Sequence, residues 1–216
     1  MIGELPAASG IVLAGGRSTR FGRDKLVEPL GGRPLVHHAV LAVAQTTVEV
    51  LVVIGPIGDG PALPDAREAG VPIRVVRDPT TDGGPLVGLL AGLERARESC
   101  VVVAGGDMPS LAPDVIRALL RSLAASADAD AVALERRGRR EPLPIVLRTG
   151  AATTLAARLL ADGERSLRAL LAALRTRDLA EGDWRPLDPD GTTLRDIDVP
   201  ADLDRSGDER QDRRRT

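Results

Sequence analysis

The 216-residue chain has no tyrosine, one phenylalanine (Phe21), one tryptophan (Trp184) and no asparagine. Its core must therefore be built from Leu, Val, Ile and Ala, and the aromatic platforms on which single-stranded nucleic acids stack are excluded. A single cysteine, Cys100, excludes an internal disulfide framework and any multi-cysteine metal site, and points to a reducing compartment. No stretch approaches the ~18 consecutive apolar residues of a membrane span. The N-terminal MIGELPAASG also lacks the basic and apolar regions of an export signal, so the expectation is a cytoplasmic protein off the membrane. With 29 basic and 31 acidic residues the net charge is -2, which gives no chain-wide field for nucleic acid or anionic lipid. Any anion must be bound locally. Lysine is scarce too: among the 29 basic residues only Lys25 is a lysine.

What is present reads as alternating strands and helices. The length fits one large domain or at most two small ones, with a single α/β domain as the default. Short apolar runs at 10–14, 48–54, 73–77 and 100–104 read as strands buried on both faces. Helical periodicity predicts helices at 34–45, 61–69 (weak and interrupted by proline), 85–98 and 113–126, most of them opened by a proline. Farther on, ADAVALERRGRREPLPIVLR reads as a hairpin or a long connection. Helices near 149–161 and 166–176 follow, then a short strand in TLRDIDVPADL. The alternation predicts a mostly parallel sheet covered by helices.

The first strand runs into GGRSTRFGRDK, residues 15–25, which combines three glycines, three arginines and the sole lysine. Glycines let backbone N–H groups turn toward a phosphate chain, and the cationic side chains balance its charge. The loop sits at the carboxyl end of a strand, where open α/β sheets bind ligands. It fits neither the G-x-G-x-x-G dinucleotide fingerprint nor a Walker A loop, because Leu26 and not Ser or Thr follows Lys25. The competing reading is an exposed glycine-rich turn with solvated charges.

LAGGRSTRFGRDKL resembles the signature loop of the nucleotidyltransferases that activate cofactors and sugars, most closely the molybdenum cofactor guanylyltransferases. The resemblance extends to about residue 204 through RD at 77–78, GGPLVGLLAGL at 83–93, GGDMPSL at 105–111 and DIDVPADL at 196–203. It implies a three-layer α/β/α Rossmann-like nucleotidyltransferase fold, mostly parallel with one antiparallel strand. The domain would span 1–204, its N-terminal half binding nucleotide and its C-terminal half the acceptor, with 205–216 a solvated tail. It also implies transfer of GMP from GTP to the terminal phosphate of molybdopterin or its molybdenum form, with Mg²⁺ as cofactor. The chain would act as a monomer or weak oligomer. The signature implies nucleotide binding by Leu13, Ala14, Gly15, Gly16, Arg17, Gly22 and Lys25, with Arg20, Lys25 and Asp107 catalytic.

Asp107 follows the fourth strand. If the chain crosses back beside the first strand, as doubly wound sheets do, Asp107 and the loop face each other across one crevice. A carboxylate facing a triphosphate implies Mg²⁺, the role the family gives the matching acid; a plain turn residue before Pro109 is the alternative. Asp196 and Asp198 are a second candidate source of metal ligands, although Asp198, where relatives often carry Asn, could instead cap a helix. In the family the 83–93 segment, with Gly84 and Gly88, borders ribose and base, and Asp78 matches a nucleotide-contacting acid. Tight packing is the other reading of these glycines and of Gly92. Guanine rests on the resemblance alone, since relatives that use CTP tend to carry Ala at Gly15. A family Asn near the end of the second strand falls at Gly55 or a neighbour. The basic connection Arg136, Arg137, Arg139 and Arg140 lies where the family binds its pterin, and guanidiniums suit a phosphate-bearing acceptor; a merely charged hairpin tip is the alternative. His37 and His38 point about 100° apart on a helix and are assigned no chemistry. Cys100 reads as a small hydrophobe. Rival functions are another acceptor (a sugar phosphate or a phospholactate), CTP as donor, or a catalytically silent nucleotide-binding module.

Overall fold

The computed structural model describes residues 5–15, 25–58, 60–80 and 83–197. In chain order the elements are β1 (Ser9–Leu13), a 3-10 turn (Lys25–Val27), the short hairpin of β2 (Pro29–Leu30) and β3 (Arg33–Pro34), α1 (Leu35–Ala44), β4 (Glu49–Ile54), α2 (Ala66–Ala69) and β5 (Ile73–Arg77). Then come α3 (Pro85–Leu93), β6 (Cys100–Gly105), α4 (Pro113–Ala124), β7 (Ala131–Arg136), β8 (Arg139–Arg148), α5 (Thr149–Ala161), α6 (Leu167–Ala173), β9 (Thr176–Leu179) and α7 (Glu181–Trp184). A seven-stranded sheet runs β5-β4-β1-β6-β8-β7-β9. β1 is parallel to both β4 and β6, β4 to β5, and β7 to β9, whereas β8 runs antiparallel to both neighbours. The expected architecture of a mostly parallel sheet with one reversed strand is therefore present.

The central strands are apolar throughout because helices cover both faces. β4 and β6 are buried at every residue, as is β1 up to Leu13. One face packs on α1, α4 and Trp184, the other on α3, α5 and α6. α4 shows why: Val115, Ile116, Leu119, Leu120 and Leu123 recur at helical spacing and all are buried, each stabilising by about 1.5–3 kcal/mol. On α3, a Cβ at Gly92 would lie 2.9 Å from Ile11 Cγ2, so the missing side chain lets this helix settle onto β1.

Several element boundaries differ from the sequence reading. The helix expected at 166–176 ends at Ala173, and Thr176–Leu179 adds an edge strand beside β7. Arg175 sets the change by pairing with Asp130 at 2.8 Å and accepting the Asp130 N–H at 2.9 Å, so tertiary pairing overrides helical propensity. α3 stops at Leu93, because the N–H groups of Arg97 and Glu98 turn away to Ser9 Oγ at 3.2 Å. Only Ala66–Ala69 of the weak 61–69 segment is helical, capped by Asp65. No strand forms at 193–197: a 3-10 turn covers Thr192–Leu194 after a left-handed Gly191, residues 195–197 have no regular structure, and the remainder of TLRDIDVPADL lies outside the described residues. The expected tail lies outside the described residues. Among those described, no helix is long and apolar enough to cross a membrane.

Candidate active site

The order β4-β1-β6 means that the chain winds outward from β1 to β5 and then returns to the other side of β1. That reversal opens a crevice at the carboxyl ends of β1 and β6. Backbone contacts build its floor. Ala14 N donates to Val53 O at 2.7 Å, and Gly106 N to Leu13 O at 2.9 Å. A Cβ on Gly15 would stand 3.3 Å from the backbone of Ile54 and Gly55, and one on Gly106 would stand 3.3 Å from Leu13 O. The chain passes this point as bare backbone. Gly55 directly follows β4.

Lys25 and Asp107, 82 residues apart, meet across the crevice. Lys25 Nζ donates to Asp107 Oδ2 at 2.7 Å and to Ile197 O at 2.8 Å. Their side chains are 15% and 27% exposed, enough to shelter the pair from screening while leaving it reachable. Ile197 N in turn donates to Asp107 O at 3.1 Å. A charge-assisted bond of this length is stronger than a neutral one. Thus the two charged residues singled out from the sequence do come together, and a backbone carbonyl that sequence reasoning missed completes the set. Asp196, beside it, is exposed.

Asp78 lies at the end of β5, held there by its own N–H to Ile54 O at 2.9 Å. It is 6% exposed, and Oδ1 accepts from Thr80 N at 2.8 Å and Thr80 Oγ1 at 3.2 Å. A Cβ on Gly88 would come within 3.4 Å of Asp78 Oδ2, so glycine leaves room for the carboxylate. Gly84 opens α3 at φ +77°, and a Cβ there would lie 2.9 Å from Arg165 Cβ, whose backbone oxygen accepts the Leu86 N–H at 3.2 Å. Arg77 clasps the loop after β4 through Gly55 O and Gly58 O at 3.2 and 2.8 Å.

The β7–β8 hairpin projects from the same edge of the sheet. Its four arginines divide. Arg136 pairs with Glu141 at 2.8 Å, and Arg140 is bidentate on Asp178 at 2.5 and 3.0 Å while also donating to Leu171 O and Thr176 O. Arg137, at φ 53°, and Arg139 are exposed. Arg137 N donates to Glu181 Oε2 at 2.9 Å, and Trp184 Nε1 to Glu135 O at 2.9 Å, so α7 braces the hairpin.

Beyond α7, Asp188 is buried under Thr192 and Thr193. Burial would raise its carboxyl pKa, but the N–H and hydroxyl groups of the two threonines hold it below the ordinary range. Burial pushes the Cys100 thiol up to about 11, as befits a packed, unreactive group. His37 and His38 bond separate carbonyls, of Ala62 and Leu30. Gly16, Arg17, Arg20, Gly22 and Asp198, expected to serve the site, lie outside the described residues.

Residues 10–179 match the family model of the MobA-like NTP transferase domain. A molybdenum cofactor guanylyltransferase from Burkholderia vietnamiensis is 40% identical over 188 residues, covering 83% of this chain and 89% of that relative. Among solved structures, molybdopterin-guanine dinucleotide biosynthesis protein A from Archaeoglobus fulgidus superposes with a TM-score of 0.74 at 22% identity, covering 94% of this chain and 99% of the other. A nucleotidyl transferase from Methanothermobacter thermautotroptrophicus gives 0.67 at 26% identity, with 96% and 98% covered. The model spans the crevice from β1 to the edge strand β9, and the chain belongs to the family of MobA-like NTP transferase domains.

Proposed function

We propose that the chain transfers GMP from GTP to the terminal phosphate of molybdopterin, or of its molybdenum form, and releases pyrophosphate. The observation that carries this reading is the Lys25–Asp107 pair at the switch point between β1 and β6. An acceptor phosphate oxygen forms the new bond to the α-phosphorus, and the bond from that phosphorus to the bridging oxygen of the leaving pyrophosphate breaks. The second pKa of a phosphate monoester is about 6, so the nucleophile is already anionic near neutrality and needs no general base. A site without histidine suits that chemistry.

Catalysis then reduces to positioning and charge neutralisation. Lys25 holds phosphate oxygens, together with backbone N–H groups from Gly15 onward; Leu13 and Ala14 form the floor beneath, the Ala14 N–H being already given to Val53 O. Arg17, Arg20, Gly16 and Gly22 share that work on the strength of the signature they belong to. Asp78 accepts from a donor group of the nucleoside, with Gly84 and Gly88 shaping the space beside it. Arg137 and Arg139 attract the acceptor's phosphate; Arg140 contributes by fixing the strand behind them.

The family generally uses a divalent metal, and the residues fit one. Among the described residues no cluster of three or more metal-ligating side chains forms. A hard ion such as Mg²⁺ usually takes only one or two carboxylates, with phosphates and water supplying the rest. Asp107 already accommodates a cation, the Lys25 ammonium, and would hold the metal with Asp198 as a second oxygen ligand. When bound, the ion supplies Lewis-acid polarisation of the phosphates. The deciding test incubates purified protein with molybdopterin, Mg²⁺ and each of GTP, CTP, UTP and ATP. The expected result is pyrophosphate release and a guanine dinucleotide product with GTP; turnover with CTP alone, or tight GTP binding without turnover, would overturn it.

A further inference from the structure

Resting on the reading of Lys25 and Asp107 as the reacting pair, we propose that Asp188, which lies outside the crevice, is a positioning residue for it. Residues 181–197 form a strap across the acceptor half. Glu181 and Trp184 fasten one end to the β7–β8 hairpin, and Ile197 fastens the other to Lys25 and Asp107. Asp188 sits at the bend, 4% exposed. Its Oδ2 accepts from Thr193 N at 2.7 Å and its Oδ1 from Thr192 Oγ1 at 3.0 Å.

The same two threonines reach the loop that carries Asp107. Thr193 Oγ1 accepts from Ala112 N at 3.0 Å, and Thr192 Oγ1 lies 3.4 Å from Ser110 O. The Asp107 loop is thus held at both ends by one strap, at Asp107 through Ile197 N and at Ser110–Ala112 through the threonines. Only three residues lie between Thr193 and Ile197, so a shift at the bend reaches the carbonyl on Lys25. Apolar packing alone would tolerate sliding along the strap. A buried carboxylate with paired N–H and hydroxyl donors accepts a single register, because every misaligned donor would be left unsatisfied.

Lys25 is the only lysine in the chain, which gives a readout independent of turnover. Trinitrobenzenesulfonate labelling, mapped by peptide mass to residue 25, reports how firmly the ammonium is held. In Asp188→Ala, checked by circular dichroism to be folded at the assay temperature, Lys25 should label about tenfold faster, the loss of a charge-assisted hydrogen bond. kcat should fall by a similar factor with KM for GTP unchanged, and half-saturation by Mg²⁺ should rise. Asp188→Asn can still accept from Thr193 N and donate to Thr192 Oγ1, and should restore slow labelling. If Asp188→Ala does not fold, Thr193→Val against Thr193→Ser reads the same quantities, the first expected to loosen Lys25 and the second not.

A folded Asp188→Ala with wild-type labelling and kcat overturns the inference. So does an activity loss that only follows the unfolded fraction while labelling stays slow. Faster labelling in a protein whose wild type fails to transfer GMP would sink the proposed reaction and leave Asp188 as the positioner of Lys25; wild-type turnover with unchanged labelling would do the reverse.

Discussion

Lys25 and Asp107 each bear on the other, so their substitutions should differ in kind. Lys25→Ala removes the phosphate contact and should lower kcat by about 10²–10³-fold, the usual loss for one preorganised electrostatic contact. Lys25→Arg keeps the charge but replaces a compact ammonium with a planar fork, which cannot meet Asp107 Oδ2 and Ile197 O as the lysine does; it should stay mostly inactive. Steady-state pyrophosphate release checks both, and wild-type rates in either would remove Lys25 from catalysis. Asp107→Asn should lose activity together with its Mg²⁺ dependence; a retained Mg²⁺ optimum would move the ion to Asp196 and Asp198. Gly15→Ala probes the base. The added methyl would stand 3.3 Å from the Ile54 and Gly55 backbone and shift the loop from β4 by a few tenths of an ångström, so KM for GTP should rise more than KM for CTP. That Lys25 and Asp107 meet was legible in the sequence, because charge placement and strand order carry that signal, whereas Gly15 was tied to the base only through the family resemblance. Ile197 was not legible, since a carbonyl has no signature in residue identity.

At the level of elements, the hairpin separates arginines that hold the fold from arginines that face solvent. Arg140→Ala strips Asp178 of its bidentate partner and removes one donor each from Leu171 O and Thr176 O, and should destabilise by roughly 1–3 kcal/mol in a urea titration. Arg139→Ala should leave that titration unchanged and raise KM for the acceptor; equal effects from the two would refute the division. The two apolar runs around RRGRR left a hairpin and a long connection both open, and the fold takes the hairpin, whereas the parallel core was readable from its uniformly apolar strands. The split among the arginines was not, because Asp178 lies on β9, a stretch whose leading residues have helical propensity and which becomes a strand only by pairing with β7. The early end of α3 was hidden for a related reason: it depends on Ser9 and Glu49, far away in sequence, capturing the N–H groups of Arg97 and Glu98.

Across the whole molecule, the two ends of the sheet are built to opposite rules. The carboxyl edge carries a crevice with partly exposed charge, whereas the amino edge is locked by a buried, satisfied carboxylate. Glu49, 2% exposed, accepts from Ser9 Oγ at 2.8 Å, from Arg97 N at 3.0 Å and from Arg74 at 2.7 Å, tying β1, β4, β5 and the α3–β6 turn together. Burial by itself would raise its pKa, but these donors hold it below the ordinary 4.5. Asp188 and Asp130 are shifted in the same direction by their own donors. A carboxylate whose folded pKa lies below its unfolded one stabilises fully above the unfolded value and loses that contribution as pH falls through the folded value. Stability should therefore be flat from neutrality to about pH 5 and fall steeply toward pH 3. Glu49→Gln keeps the shape but not the charge, so it should lower Tm at pH 7 and flatten the acid limb below pH 5. Calorimetric Tm profiles of wild type and variant between pH 3 and 7 test this directly, and parallel acid limbs would show that Glu49 does not set the acid stability of the fold.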